Sequence, residues 1–401
     1  MVNFELIEYM ERLKKTKERM AYRGIEVLLV TDPANMNYLT GYDGWSFYVD
    51  QLLIVIDDEE QPIWIGRTAD ANGAKVTTWL YHENIISYPD KYVQSQTRHP
   101  MEFVAEILTQ IGQDKRSIGV EMDNYYFSAK CYQTLCNGLP NAHFHDATLL
   151  VNWVRIIKSN HEIALMKKAG KIARNAMLEG IDAVNEGVRG CDVAARISYA
   201  QLKGTSQYGG DYPAIVPLLP SGERTSTPHL TWTDAPYNKG ETVILEIAGC
   251  YQRYHAPLAR TVHVGQPTIS MKNLSEVVIE GLNTCIEFIK PGVTCEEIEE
   301  VWRNTVEKYG VFKESRLGYS MGLNYPPDWG EHTASIRKGD KTVILPNMTF
   351  HLIPAIWSEG DSFEISESLR ITSTGCEPLV TLPRELVVKD DSTFKNLDPV
   401  G

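Results

Sequence analysis

A chain of 401 residues, 43% of them hydrophobic, can bury more than one core and reads as two domains. Its formal net charge of −13, with no Lys/Arg block interleaved with aromatics, excludes the electrostatic footprint of a nucleic-acid binder. Seven cysteines without a CxxC pair exclude a thiolate zinc site and a disulfide framework, and no stretch approaches the roughly 18 consecutive apolar residues of a membrane span.

The first predicted element is a charged amphipathic helix over 5–23, with no apolar signal-peptide core behind its positive charges, so a cytoplasmic protein is expected. A short buried strand, 26–31, follows and is closed by Asp32-Pro33. Further strands are predicted at 52–56, 62–65, 85–88 and 117–121, with amphipathic helices near 67–76, 100–112 and 126–137. This alternation predicts a small α/β domain over 1–155 with a mixed or parallel sheet. From Asn160 to about Glu186 the apolar residues Met166, Ala169, Ile172, Ala173, Ala176 and Met177 recur at helical spacing. A second helix is predicted at 191–203, then strands at 213–218, 242–248, 251–255 and 260–264. Helices near 270–289 and 294–309 are separated by Pro291 and Gly292, and Thr294 with Glu297 forms a capping box. The segment 341–380 returns to strand patterns, so 156–401 is predicted as an α+β domain with an antiparallel sheet flanked by helix pairs.

Histidine and glutamate are the natural acid–base groups for hydrolysis near neutral pH. None of the ten histidines belongs to an HExxH pair. His229 lies in a loop rich in Gly, Pro and hydroxyls, where a catalytic group or a solvated one are both consistent readings. Glu246 stands inside an apolar strand, so it is either exposed by alternation or turned into a polar cavity. Glu364 and Glu367 are three apart on a predicted strand, and at most one of them can face a given cavity. Asp328, Glu331 and His332 occupy an irregular loop, where solvation is the ordinary state.

Residues 155–385 resemble the pita-bread (creatinase, aminopeptidase P and prolidase) family. The resemblance rests on Arg155-Ile-Ile-Lys-Ser159, Pro228-His229, the hairpin Thr242–Gly265, Gly318–Leu323, Met348–Pro354 and Glu364–Gly375. It implies the family's fold, with a creatinase-type N-terminal domain ahead of the catalytic one. Aligned on Gly249, Arg260 and Thr261, the family's five metal-ligand positions fall on Ile247, Pro257, Tyr319, Ile353 and Glu367, of which only Glu367 is a ligand residue. No metal and no cofactor are therefore expected.

Longer strings, such as Pro228–Trp232, Glu246–Tyr251 and Leu323–Glu331, resemble the ectoine-hydrolase branch of that family. That resemblance implies a small-molecule substrate, a cyclic amidinium carrying a carboxylate, opened without a metal. It implies His229 as the acid–base group, with Glu246 and Glu367 as anionic partners of the amidinium and Glu364 able to stand in for either. Phe47, Tyr251, His255, Trp329, Glu331 and His351 are implied as pocket residues. A homodimer with Phe47 reaching the neighbouring site is implied as well. The alternatives are a metal-dependent Xaa-Pro aminopeptidase or dipeptidase and a creatinase-like enzyme acting on another small osmolyte.

Overall fold

Residues 3–389 are described by a computed structural model, in which the chain divides into two units, Met1–Arg155 and Ile156–Gly401. The first unit carries six strands: β1 (Val27–Val30), β2 (Leu52–Ile56), β3 (Ile63–Arg67), β4 (Ile85–Tyr88), β5 (Ser117–Val120) and β6 (His143–Asp146). They pair in the order β4-β3-β2-β1-β5-β6, antiparallel where β2 meets β1 and β3 and parallel elsewhere. Asp32-Pro33 does more than close β1. The Asp32 carboxylate accepts the Ala34 N–H and Pro33 takes the first helical position, so the pair also starts a helix, Pro33–Thr40.

The second unit opens on helix Asn160–Ala183, started by a capping box between Ser159 and Glu162. Its small residues Ala169, Ala173 and Ala176 share one buried core with Val243, Leu245 and Ile247 of β7 (Thr242–Tyr251). Gly249 allows the helix this close, because a Cβ there would lie 2.1 Å from the Ala169 carbonyl oxygen. The odd-numbered side of β7 therefore faces the helices, and alternation turns Glu246 and Ala248 to the other side.

β7 pairs antiparallel with β8 (Tyr254–Val264) through Glu246↔Ala259 and Ala248↔Pro257. β8 runs unbroken through Pro257, where two separate strands were expected. The reason is the register. The Ala259 N–H points away from β7 to Ser366, and Pro257, two residues earlier, has the same outward orientation, so its missing N–H costs β7 no ladder bond. The expected strand 213–218 is also corrected: only Leu218 pairs, through reciprocal backbone bonds with Glu246 of 2.9 and 3.0 Å.

The remaining strands are β9 (Gly318–Met321), β10 (Gly330–Ile336), β11 (Thr349–Leu352), β12 (Ala355–Ile356), β13 (Phe363–Glu364), β14 (Glu367–Ile371), β15 (Cys376–Pro378) and β16 (Val387–Lys389). β9, β10, β11, β14 and β15 form one sheet, β12 pairs with β13, and β16 adds to β8. Helix Cys295–Val306 begins with the capping box expected at Thr294 and Glu297. No helix among the described residues is long and apolar enough to cross a membrane.

Candidate functional site

The even side of β7 collects the polar residues. Ala248 packs with Trp329 and Ala214, and Glu246, two residues earlier on the same side, is buried. Burial raises the Glu246 carboxyl well above its ordinary value, and the negative charges of Glu364 and Asp328 push the same way. Glu364 is fully buried on β13, held by backbone bonds to the Thr261 hydroxyl of β8 at 2.7 and 3.0 Å. Its Oε2 accepts the Trp357 indole N–H at 2.9 Å, and its Oε1 has no partner among the described residues. Burial lifts Glu364 to about 7, while the Trp357 bond and the Lys313 ammonium pull in the opposite direction. Two buried acids with an unused carboxylate oxygen form a site that a cation would satisfy.

Beside them lies a hydrogen-bonded series made of Trp329 just ahead of β10, Tyr319 on β9, His351 on β11 and Ser366 just ahead of β14. The Trp329 indole N–H donates to the Tyr319 hydroxyl at 2.7 Å, and that hydroxyl lies 2.9 Å from His351 Nδ1. His351 Nε2 lies 2.7 Å from the Ser366 hydroxyl, which also accepts the Ala259 N–H at 2.7 Å. Burial, with Arg316 adding to it, pushes the His351 imidazole down to about 3, so it is neutral at pH 7. The Arg316 guanidinium stands 4.2 Å from the Tyr319 ring centre. Among the described residues its only hydrogen bond is 3.4 Å to Ser335, and none of them places a carboxylate within ion-pair distance of it.

Of the residues singled out in the sequence, Glu246, Glu364, Trp329 and His351 are brought together here. His255 is on the same side of the hairpin, farther toward its turn. It is fully buried and accepts the Ala214 N–H on Nε2 at 2.9 Å, and burial pushes it down to about 3.

Glu367 is a correction. It faces the opposite way from Ser366, and its Oε1 is taken by Arg260 at 2.8 Å and Arg384 at 3.1 Å in a buried ion pair. Ser366 holds the site side instead. The first ligand position needs the matching change, since Ile247 packs on the helices and Glu246 occupies the site side. Glu331 is likewise not a pocket group. Both its oxygens are bound by Lys158, at 2.8 and 2.7 Å, and the pair is fully buried. Tyr251 lies on the helix side of the hairpin, with Lys168 4.6 Å from its ring centre and Tyr208 at 5.1 Å. His229 sits in an exposed loop, and no hydrogen bond to it is found among the described residues. Phe47 belongs to the first unit, where its ring packs 4.7 Å from Trp45 and 5.9 Å from Tyr126. Sequence reasoning missed Ser366 and Arg316, and it noticed Tyr319 only as a replaced ligand. A buried serine or a half-buried arginine carries no local signal of its position.

One group of metal-ligand residue types lies elsewhere, at Asp50, His99 and Cys131 in the first unit. His99 Nδ1 accepts the Met101 N–H at 3.1 Å as a helix cap, which puts the ring proton on Nε2, the nitrogen turned toward Asp50. A metal there would have to break the cap, and burial also raises the Cys131 thiol to about 11. This group is a poor metal site.

Comparison with known proteins agrees with this architecture. The model of the metallopeptidase family M24 matches residues 164–374, and that of the creatinase/prolidase N-terminal domain matches 12–157. The chain belongs to the M24 family. A protein named ectoine hydrolase, from Halomonas elongata, is 46% identical over 95% of this chain and 97% of its own length. An uncharacterized hydrolase/peptidase of Sinorhizobium fredii is 47% identical over 97% of this chain and 99% of its own. Among solved structures, the prolidase of Pyrococcus horikoshii superposes with a TM-score of 0.79 at 25% identity, covering 94% of this chain and all of that one. This M24 protein is a hydrolase of C–N bonds with the pita-bread fold and a creatinase-type N-terminal domain.

Proposed function

We propose that this chain opens the ring of ectoine, or of a closely related cyclic amidinium carrying a carboxylate, and does so without a metal. The observation that carries the reading is the buried pair Glu246 and Glu364, whose charges oppose each other, with Glu364 Oε1 unpartnered among the described residues. The similarity to the Halomonas ectoine hydrolase supports the choice of cation. The dinuclear metal of metallopeptidases does not fit this donor set. Pro257 and Ile353 offer no ligand atom, Tyr319 and Ser366 are committed to His351, and Glu246 is the one carboxylate turned to the site among the five positions.

In the proposed reaction Glu246 and Glu364 grip the amidinium by charge-assisted hydrogen bonds. Water attacks the amidinium carbon, His229 takes its proton, and a proton returned to the departing nitrogen completes ring opening to N-acetyl-2,4-diaminobutyrate. The substrate is already cationic, so it needs no Lewis acid to polarise it. Its carboxylate would be repelled by the acid pair unless a cation received it. Lys313 is engaged with the Ser315 hydroxyl and the Ala355 carbonyl, which leaves Arg316 as the receiver. Arg316→Met should raise KM for ectoine about a hundredfold, the worth of a good charge-assisted pair. It should leave KM unchanged for the same ring without its carboxylate. Equal effects on both compounds would remove Arg316 from this role.

The deciding assay incubates chelator-treated protein with ectoine, creatine and a Xaa-Pro dipeptide and follows products by NMR. Ectoine turnover that survives chelation, and that His229→Ala abolishes, is expected. Activity confined to the dipeptide after adding Mn²⁺ or Co²⁺ would favour the peptidase reading. The reading includes a homodimer in which Phe47 closes over the neighbouring site. Exposed Trp45 and Tyr48 beside Phe47 support a covered surface. Light scattering that returned the single-chain mass of 45.3 kDa would refute the dimer.

A further inference from the structure

The Trp329 indole N–H and the Ala259 backbone N–H can only donate, so Tyr319 Oη and Ser366 Oγ each accept one of them. Between the two hydroxyls lies a neutral imidazole with a single N–H. The triad therefore holds three mobile protons, one on each residue, but only two internal hydrogen bonds, Tyr319–His351 and His351–Ser366, can use them. One hydroxyl proton must point out of the triad. In one arrangement His351 Nδ1–H donates to Tyr319 and Ser366 donates to Nε2, so the Tyr319 proton is free. In the other Tyr319 donates to Nδ1 and Nε2–H donates to Ser366, so the Ser366 proton is free.

Both ends border the acid pair. Glu246 acts electrostatically on the Tyr319 phenol, and Ser366 is bonded to Ala259, the cross-strand partner of Glu246. We propose that Tyr319, His351 and Ser366 form a two-state proton relay that carries a proton from one side of the bound substrate to the other. The part it plays in catalysis rests on the ring-opening reading.

In that reaction water has added to the amidinium carbon and left a tetrahedral intermediate with one hydroxyl. As the C–N bond breaks, its electron pair stays on nitrogen, which takes the free Tyr319 proton. His351 Nδ1–H passes to Tyr319 Oη, and the Ser366 proton passes to Nε2. Ser366 Oγ receives the proton of the intermediate's hydroxyl, whose oxygen becomes the amide carbonyl. Protons and charge balance, and the triad ends in its other arrangement. His229 is then needed only for the first proton of the attacking water. Tyr319 and Ser366 touch the reacting atoms, and His351 positions and connects them.

The test reads tautomers first, in ligand-free protein labelled with ¹⁵N-histidine, the His351 signal being identified by its loss in His351→Gln. Wild type should give averaged ring-nitrogen shifts from two exchanging tautomers. Tyr319→Phe should fix the proton on Nε2, facing Ser366, and Ser366→Ala should fix it on Nδ1, facing Tyr319, because a bare buried lone pair costs less than a bare buried N–H. One unchanging tautomer in all three proteins overturns the relay. Each variant should also lower kcat for ectoine about a hundredfold with KM nearly constant, the usual worth of general acid–base transfer. Losing both hydroxyls should be no worse than losing one. Opposite tautomers with wild-type kcat would overturn the catalytic role. Tautomers that switch in a protein inert toward ectoine would sink the substrate assignment and leave the relay standing.

Discussion

Glu246→Gln is expected to lower kcat/KM for ectoine about a thousandfold while the protein stays folded, an effect of about 4 kcal/mol at the transition state. Glutamine keeps the shape and loses the charge that the proposed reaction sets against the amidinium, in a buried setting where charge-assisted bonds are strongest. The fold should not suffer, because burial and the charges of Glu364 and Asp328 already oppose ionisation of Glu246. Glu367→Gln should behave in the opposite way. It leaves Arg260 and Arg384 buried or half-buried against a neutral partner, and breaking such a pair costs about 3–5 kcal/mol of stability. The surviving folded fraction should turn over ectoine normally. Denaturant titration and steady-state kinetics on both variants separate the two roles. A stable but inactive Glu367→Gln protein would return that residue to the site.

That contrast shows how much of the site was legible in the sequence. The residue types were in part: the acid inside β7 and the acids at 364 and 367 stood out as polar groups among strand-forming residues, and the histidine on β11 was implied by the resemblance. Their facing was not. A strand has a period of two, so an alignment off by one residue turns a buried structural group into a site group. Anchoring on Gly249 gave Ile247 in place of Glu246, although that glycine marks the close approach of a helix on the other side. The same slip made Glu367 a site group and hid Ser366. Lys158 and Glu331 pair across a long sequence separation, and no local pattern announces such a partner. The fold itself was easier to read, because helix periodicity and the capping box at Thr294 are local. The expected strand 213–218 failed for the converse reason: extended, apolar sequence does not supply a neighbouring strand to pair with.

Glu364→Gln should make the ligand-free protein more stable at alkaline pH and less able to bind its cation. Burial raises Glu364 from an ordinary 4.5 to about 7 in the folded state. A raised folded-state value means that the folded chain binds the proton more tightly than the unfolded chain does. Stability from this group is therefore fully present below about pH 4.5 and is lost as pH rises through about 7, a swing of about 3 kcal/mol. Glutamine cannot titrate, so the variant should show a flatter dependence of unfolding free energy on pH. It should also exceed wild type in stability at pH 8, though with some of the slope retained by Glu246, whose own shift Glu364 helps to cause. Binding should run against this trend. An amidinium requires the ionised pair, so ectoine affinity in wild type should rise between pH 5 and 7, with proton release on binding seen by calorimetry in buffers of different ionisation enthalpy. In Glu364→Gln most of that release should vanish together with the affinity. Stability that climbs with pH in wild type, or undiminished proton release in the variant, would mean that Glu364 is already ionised in the empty site and that a protein cation holds it in place of a substrate.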